Sequence, residues 1–302
     1  MSDYGHDLLL GSFITPTNAR PEEVVRLARA SEVAGLDLVT FQDHPYQPGF
    51  LDTWTLMSYV AARTERISLS GNVLNLPLRP PAVLARAVAS LDLLSGGRVE
   101  LGLGAGGFWD AIEAMGGRRL SPGQAVTALS EAIDVIRGVW DTSTRQSLRV
   151  EGTYYGVRGA KRGPAPAHPV AIWLGAYKPK MLALTGQKAD GWLPSLPYIK
   201  DPQELVDANA RIDEAAAAAG REPSAVRRLL NIGGTFTTGA STGFLQGPVS
   251  QWVEQLAELT LQLGFSGYVL TGDDERSLRV LGEEVAPALR EVVAQHREEA
   301  AR

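Results

Sequence analysis

The chain has 302 residues, 44% hydrophobic and 21% charged, with a formal net charge of −5 and no cysteine. That length can bury a substantial core, as two modest domains or as one large α/β barrel. The acidic balance argues against nucleic acid or an anionic membrane as partner, and the missing cysteines exclude disulfides, thiolate metal sites and cysteine nucleophiles.

The opening stretch MSDYGHDLLLGSF carries Asp3 and Asp7, without the basic start and long apolar run of a signal peptide. No apolar run approaches the roughly 20 residues of a membrane span. A cytoplasmic location is expected.

Short apolar runs alternate with longer amphipathic stretches. Leu8–Phe13 reads as a strand and Pro21–Ala34 as a helix, with Thr17 or Asn18 near its start and Gly35 just past its end. Leu36–Phe41, Ile67–Val73 and Arg98–Leu103 read as further strands, separated by helices over Asp52–Arg63 and Pro80–Leu94. A long helix over Ser121–Trp140 opens on Ser-Pro, where proline suits the first turn. Residues 141–169 break the rhythm: Val150–Tyr155 and a run rich in glycine and proline read as a hairpin within an inserted excursion. The alternation resumes with strands at Val170–Gly175, Gly191–Pro194, Arg227–Phe236 and Phe265–Leu270. The helices between them span Pro179–Gly186, Asp201–Ala219 and Val249–Leu263, and a last one runs from Asp273 towards residue 299.

Eight strand–helix units without a composition break predict one α/β domain over residues 1–302. They fit a (β/α)8 TIM barrel with an excursion around 141–169. A doubly wound sheet is the alternative, although six strands would be usual there. The stretch RVELGLGAGG at 98–107 looks at first like a dinucleotide-binding loop. It follows the fourth strand instead of the first, and the clear helix begins only near Ser121, so it reads as a barrel strand and its exit.

In a barrel, chemistry sits where strands end at the C-terminal face. Of four histidines only His44 follows a strand end directly, in Phe41-Gln42-Asp43-His44-Pro45. There it can exchange a proton near neutral pH, or merely hydrogen-bond within its loop. All five lysines fall between positions 161 and 200. Within that window Gly175-Ala176-Tyr177-Lys178-Pro179 joins a strand to a helix. It reads as an anion site built on a helix start or, alternatively, as part of a solvated basic surface. The aromatic residues Tyr46, Trp54, Trp109 and Trp192 are candidates for a partly apolar substrate pocket or for core. No metal-ligand spacing, GxSxG or Walker A motif occurs.

The stretch AVASLDLLSGGRVELGLGAG at 87–106, with Ile172–Ala176 and Ala189-Asp190-Gly191-Trp192, resembles the luciferase-like flavin monooxygenases and F-420-dependent reductases. The resemblance implies a luciferase-like barrel, frequent homodimerisation and a deazaflavin or flavin ring over the strand ends. Asp43 and His44 resemble the pair of the F-420-dependent branch, which implies His44 near the reactive ring as the catalytic group, with Asp43 orienting it or contacting the ring. By the same resemblance Asn72–Val73 is a non-prolyl cis peptide under the ring, and Gly104, Ala105, Gly106 and Gly107 form a cofactor-contacting loop. Gly175, Ala176, Tyr177, Lys178 and Pro179 then hold the cofactor phosphate.

Coenzyme F-420, with its phosphodiester and polyglutamate tail, suits the basic window better than FMN does. The expected activity is hydride transfer between F-420 and a small organic substrate. An FMN-dependent monooxygenase is the alternative, and a non-catalytic flavin-binding barrel is a third reading. Gly107 stands where the family's sugar-phosphate dehydrogenases carry a glutamate, which puts that chemistry in doubt for this chain.

Overall fold

A computed structural model describes residues 3–302; Met1 and Ser2, at the head of the acidic N-terminal stretch, lie outside it. The expected apolar runs become eight barrel strands. In chain order they are β1 (Leu9–Ile14), β2 (Leu38–Phe41), β3 (Ser68–Gly71) and β4 (Val99–Gly104). They continue as β5 (Ile172–Leu174), β6 (Gly191–Trp192), β7 (Arg227–Ile232) and β8 (Phe265–Thr271). Each pairs in parallel with its neighbour, and β8 pairs with β1, so the sheet closes into the TIM barrel that the alternation predicts. Strands covered on both faces need near-continuous apolar sequence, and all four residues of β2 are buried.

The surrounding helices are α1 (Pro21–Val33), α2 (Thr53–Ala61), α3 (Pro81–Ser95), the short α4 (Trp109–Ala114) and α5 (Pro122–Trp140). They continue as α6 (Pro179–Lys188), α7 (Gln203–Ala218), α8 (Val249–Leu263), α9 (Glu275–Val280) and α10 (Ala286–Ala300). Neither Thr17 nor Asn18 caps α1. Arg20 holds the cap position, and the Asn18 amide donates to the Pro48 carbonyl at 2.6 Å. The expected last helix is interrupted by one π turn, Leu281–Val285.

The excursion holds an antiparallel hairpin, Leu148–Val150 against Val157–Ala160. Glu131 of α5 ties it down by accepting from the backbone N–H groups of Thr153, Tyr154 and Tyr155 at 2.8–2.9 Å.

Gly102 shows what the first glycine of the comb does. A Cβ there would lie 2.0 Å from the Gly71 carbonyl oxygen, so β3 and β4 approach too closely for any side chain. This glycine serves barrel closure.

The N-terminal end of the barrel carries a charge cluster. The fully buried Asp92 carboxylate accepts from the N–H groups of Val99, Ala167 and His168 and pairs with His168 Nδ1 at 2.9 Å. Glu100 lies 3.5 Å from His168 Nε2 and accepts from Ala171 N at 2.6 Å. The Glu100 and Asp92 carboxylates outweigh burial and push the His168 imidazolium up from 6.5 to about 9. The raised value favours the folded state fully below pH 6.5, and that stabilisation is lost as pH rises through 9. For a partly exposed group the loss is on the order of 1–2 kcal/mol. Urea unfolding at pH 6 and pH 9.5 should show this decline in the native protein and a flatter dependence in His168→Gln.

Candidate active site at the barrel mouth

The exit loop of β2 is fixed by charge. Asp43 is 2% exposed, and its carboxylate accepts from Arg79 Nε and Nη2 at 2.8 and 2.7 Å and from Asn75 N at 2.8 Å. Arg79 Nη2 also reaches Asp52 at 3.0 Å, and Asp52 caps α2 by accepting from Thr55 N at 2.8 Å. One guanidinium thus joins the exits of β2 and β3 to the start of α2. Asp43 makes no hydrogen bond to His44; it fixes the loop that carries His44.

His44 follows on that loop. Its ring lies nearly parallel to Tyr46, with centroids 5.4 Å apart at 20°, and to Phe50 at 6.3 Å and 20°. Phe108 meets it edge-on at 5.3 Å and 63°. Neither ring nitrogen has a hydrogen-bond partner among the described residues. Burial outweighs the Asp43 charge and lowers the His44 pKa, so the ring is neutral at pH 7 and free to accept or donate at a nitrogen. Burial, followed by the Asp43 charge, raises the Tyr46 pKa and keeps its phenol protonated.

Asp43, His44, Tyr46 and Phe108 line a cavity of about 810 Å³ at the C-terminal ends of β2 to β6. The Asn72–Val73 peptide is cis, and the two side chains part company. Val73 lines the cavity, whereas Asn72 turns into the barrel and exchanges amide hydrogen bonds with Asn231 at 2.6 and 3.0 Å. Asn231 also donates to Ser195 Oγ at 2.9 Å, and Asn72 to Thr40 Oγ1 at 3.2 Å. Gly104 and Gly175 face the Val73 side chain, where a Cβ would stand 2.8 and 3.4 Å from Val73 Cγ2. Gly106 has φ +95°, outside the range of ordinary side chains. Asn75 Oδ1 is buried at the cavity wall with no partner among the described residues.

Across the mouth, Gly175, Tyr177, Lys178 and Pro179 border the cavity, with Lys178 at the N-cap of α6 and Pro179 in its first turn. Trp192 lies beneath, buried, its Nε1 donating to the Ala176 carbonyl at 2.8 Å. From α7, Arg211 borders the same space together with Glu204 and Asp207. Lys178 and Arg211 form no ion pair among the described residues.

The mouth therefore gathers Asp43, His44, Tyr46, Val73, Gly104 to Gly107, Gly175, Tyr177, Lys178, Pro179 and Trp192. Asn72, Ala176, Trp54 and Trp109 do not line it. Trp54 packs on the core from α2, and Trp109 packs with Leu120, Ala125 and Ala128 beside the glycine loop. The basic window disperses, because folding spends its charges on separate tasks: Lys188 pairs with Asp134 at 2.7 Å, and Arg162 donates to the Gly138 and Gln146 carbonyls.

Arg79, Asn75, Phe108 and Arg211 join the site without having been singled out from sequence. Phe108 adjoins the glycine comb and carries that much of a signal. Arg79 has none, because its partner Asp43 lies 36 residues away. No cluster of His, Asp or Glu that could hold a metal ion occurs among the described residues, and no helix is long and apolar enough to cross a membrane.

Comparisons with known proteins show the family of the chain and the likeness of its fold. Residues 8–241 match the model of the luciferase-like monooxygenase family. An uncharacterised protein of Mycobacterium tuberculosis is 30% identical over 218 residues, covering 65% of this chain and 72% of its own. An F-420-dependent glucose-6-phosphate dehydrogenase of Nocardia farcinica is 33% identical over 241 residues, covering 75% of this chain and 68% of its own. Among solved structures, an F-420-dependent secondary alcohol dehydrogenase in complex with an F-420–acetone adduct superposes with a TM-score of 0.80. That alignment spans 94% of this chain and 99% of the other at 18% identity, a likeness of fold. The chain belongs to the luciferase-like monooxygenase family, with F-420-dependent oxidoreductases among its relatives.

Proposed function

We propose that the protein is an F-420-dependent oxidoreductase that moves a hydride between this coenzyme and a small organic substrate. The observation that carries the reading is one cavity with an unbonded neutral imidazole on one wall and two unpaired cations, Lys178 and Arg211, on another. The residues fit such a group. Glycines at 104 and 175 make room for the Val73 side chain at the cavity wall, and Asn75 Oδ1 offers a desolvated acceptor to a ring N–H. The start of α6 with Lys178, and Arg211 beyond it, suit a phosphate and the carboxylates of a tail. FMN would need only the first of these.

When bound, the deazaflavin supplies a two-electron hydride carrier. His44 holds or takes up the accompanying proton at a ring nitrogen, which its lowered pKa leaves free at neutral pH. Asp43, saturated by Arg79 and Asn75 N, keeps the His44 loop in register. Tyr46 and Phe108 exclude water beside the imidazole.

Fluorescence quenching with purified protein tests the cofactor. F-420 should bind, and Lys178→Ala and Arg211→Ala should each weaken it about tenfold. Tight FMN binding without F-420 binding would point instead to the monooxygenase reading. For the proton role, His44→Ala should lower kcat by 10²–10⁴-fold, roughly the span of general acid–base catalysis, while cofactor affinity changes little. In the native enzyme the acidic limb of kcat/KM should lie below pH 6.5, because burial lowers the His44 pKa from that value, and the limb should vanish in His44→Gln.

A further inference from the structure

The cavity is divided by charge. Its lysine and arginine lining, Lys178 and Arg211, comes from the β5 exit and from α7, which also brings the carboxylates of Glu204 and Asp207 to that side. His44 stands at the β2 exit, three strands away around a ring of eight. The cation nearest the His44 loop is Arg79, and its guanidinium is already taken by Asp43 and Asp52. A phosphorylated substrate placed against His44 would find no free positive partner there. Burial also leaves the imidazole and the Tyr46 phenol uncharged at neutral pH.

What this wall offers is aromatic area. His44, Tyr46 and Phe108 line the cavity and Phe50 backs them. Phe108 meets Tyr46 at 5.9 Å and 54° and His44 edge-on, yet remains 60% exposed. A large aromatic side chain left half uncovered at a cavity mouth is apolar surface awaiting a partner. Next to it, a Cβ on Gly107 would meet nothing within 4 Å, so there is open space there, and the Asp43 carboxylate of this wall is already held by Arg79 and Asn75 N.

We propose that the His44–Tyr46–Phe108 wall binds an uncharged, flat and largely apolar substrate, with Phe108 as the residue that covers it and sets specificity. The inference rests on the oxidoreductase reading for its reaction but not for its binding. An offset or edge-on aromatic contact contributes about 0.5–1.5 kcal/mol beyond the area buried, which makes Phe108 measurable by truncation.

The test is titration calorimetry on the full chain, with and without saturating F-420, using coumarin as a flat uncharged probe and glucose 6-phosphate as a phosphorylated one. Coumarin should bind, and with F-420 occupying the Lys178–Arg211 side glucose 6-phosphate should not. Phe108→Ala should weaken coumarin five- to tenfold without a change in melting temperature, since the ring is mostly exposed, and Phe108→Tyr should restore it. Gly107→Glu should fold normally and still not bind glucose 6-phosphate. With F-420 bound, glucose 6-phosphate binding as tight as that of coumarin would overturn the proposal, as would coumarin affinity indifferent to Phe108→Ala. Because coumarin is also measured without F-420, failure of the coenzyme to bind sinks the cofactor reading and leaves this one to be judged on its own.

Discussion

Arg79 is the interaction on which the candidate site depends. A carboxylate buried as deeply as Asp43 is unfavourable unless its charge and its lone pairs are met. Here two guanidinium N–H groups and one backbone N–H meet them. The same guanidinium reaches Asp52 at the cap of α2, so three consecutive pieces of the chain are drawn to one positive charge. His44 is positioned by this arrangement although it takes no part in it. Removing one partner of such a pair leaves an uncompensated buried charge, at a cost of about 3–5 kcal/mol.

Around that clamp the mouth separates two tasks. The β3–β7 amide pair, Asn72 with Asn231, fixes the strand ends beneath Val73. Above it Gly104 and Gly175 make room for the Val73 side chain, which packs over them and borders the cavity. One side of the space is aromatic, with the Asp43 carboxylate held by Arg79, and the other carries Lys178 and Arg211 together with the carboxylates of Glu204 and Asp207. In the proposed reading, the flat end of F-420 lies towards His44 and its anionic tail towards Lys178 and Arg211.

Much of this was legible in the chain before folding. Apolar runs such as Leu38–Phe41 alternate with amphipathic helices at a spacing that leaves one economical architecture, because parallel strands buried on both faces must be nearly all apolar. The filter of strand ends selected His44 out of four histidines. The resemblance supplied Val73 and both glycine loops. What could not be read is where distant side chains meet. Asp43 looks like a partner for the adjacent His44 until Arg79 takes its oxygens. The lysine window looks like one surface until Lys188 turns to Asp134. Trp54 and Trp109 look like pocket walls, yet helix geometry sends both into packing. These outcomes depend on tertiary neighbours, which no local pattern encodes.

The two histidines at opposite ends of the barrel carry a practical consequence. His44 is shifted downward by burial at the mouth, and His168 upward by two carboxylates at the base. Their environments share no residue, and mutations at distant, independent sites usually add. The pH at which the molecule works and the pH at which it holds together are therefore separately adjustable. A variant for alkaline use would be sought by altering the base around Asp92 and Glu100, leaving the machinery at the mouth untouched.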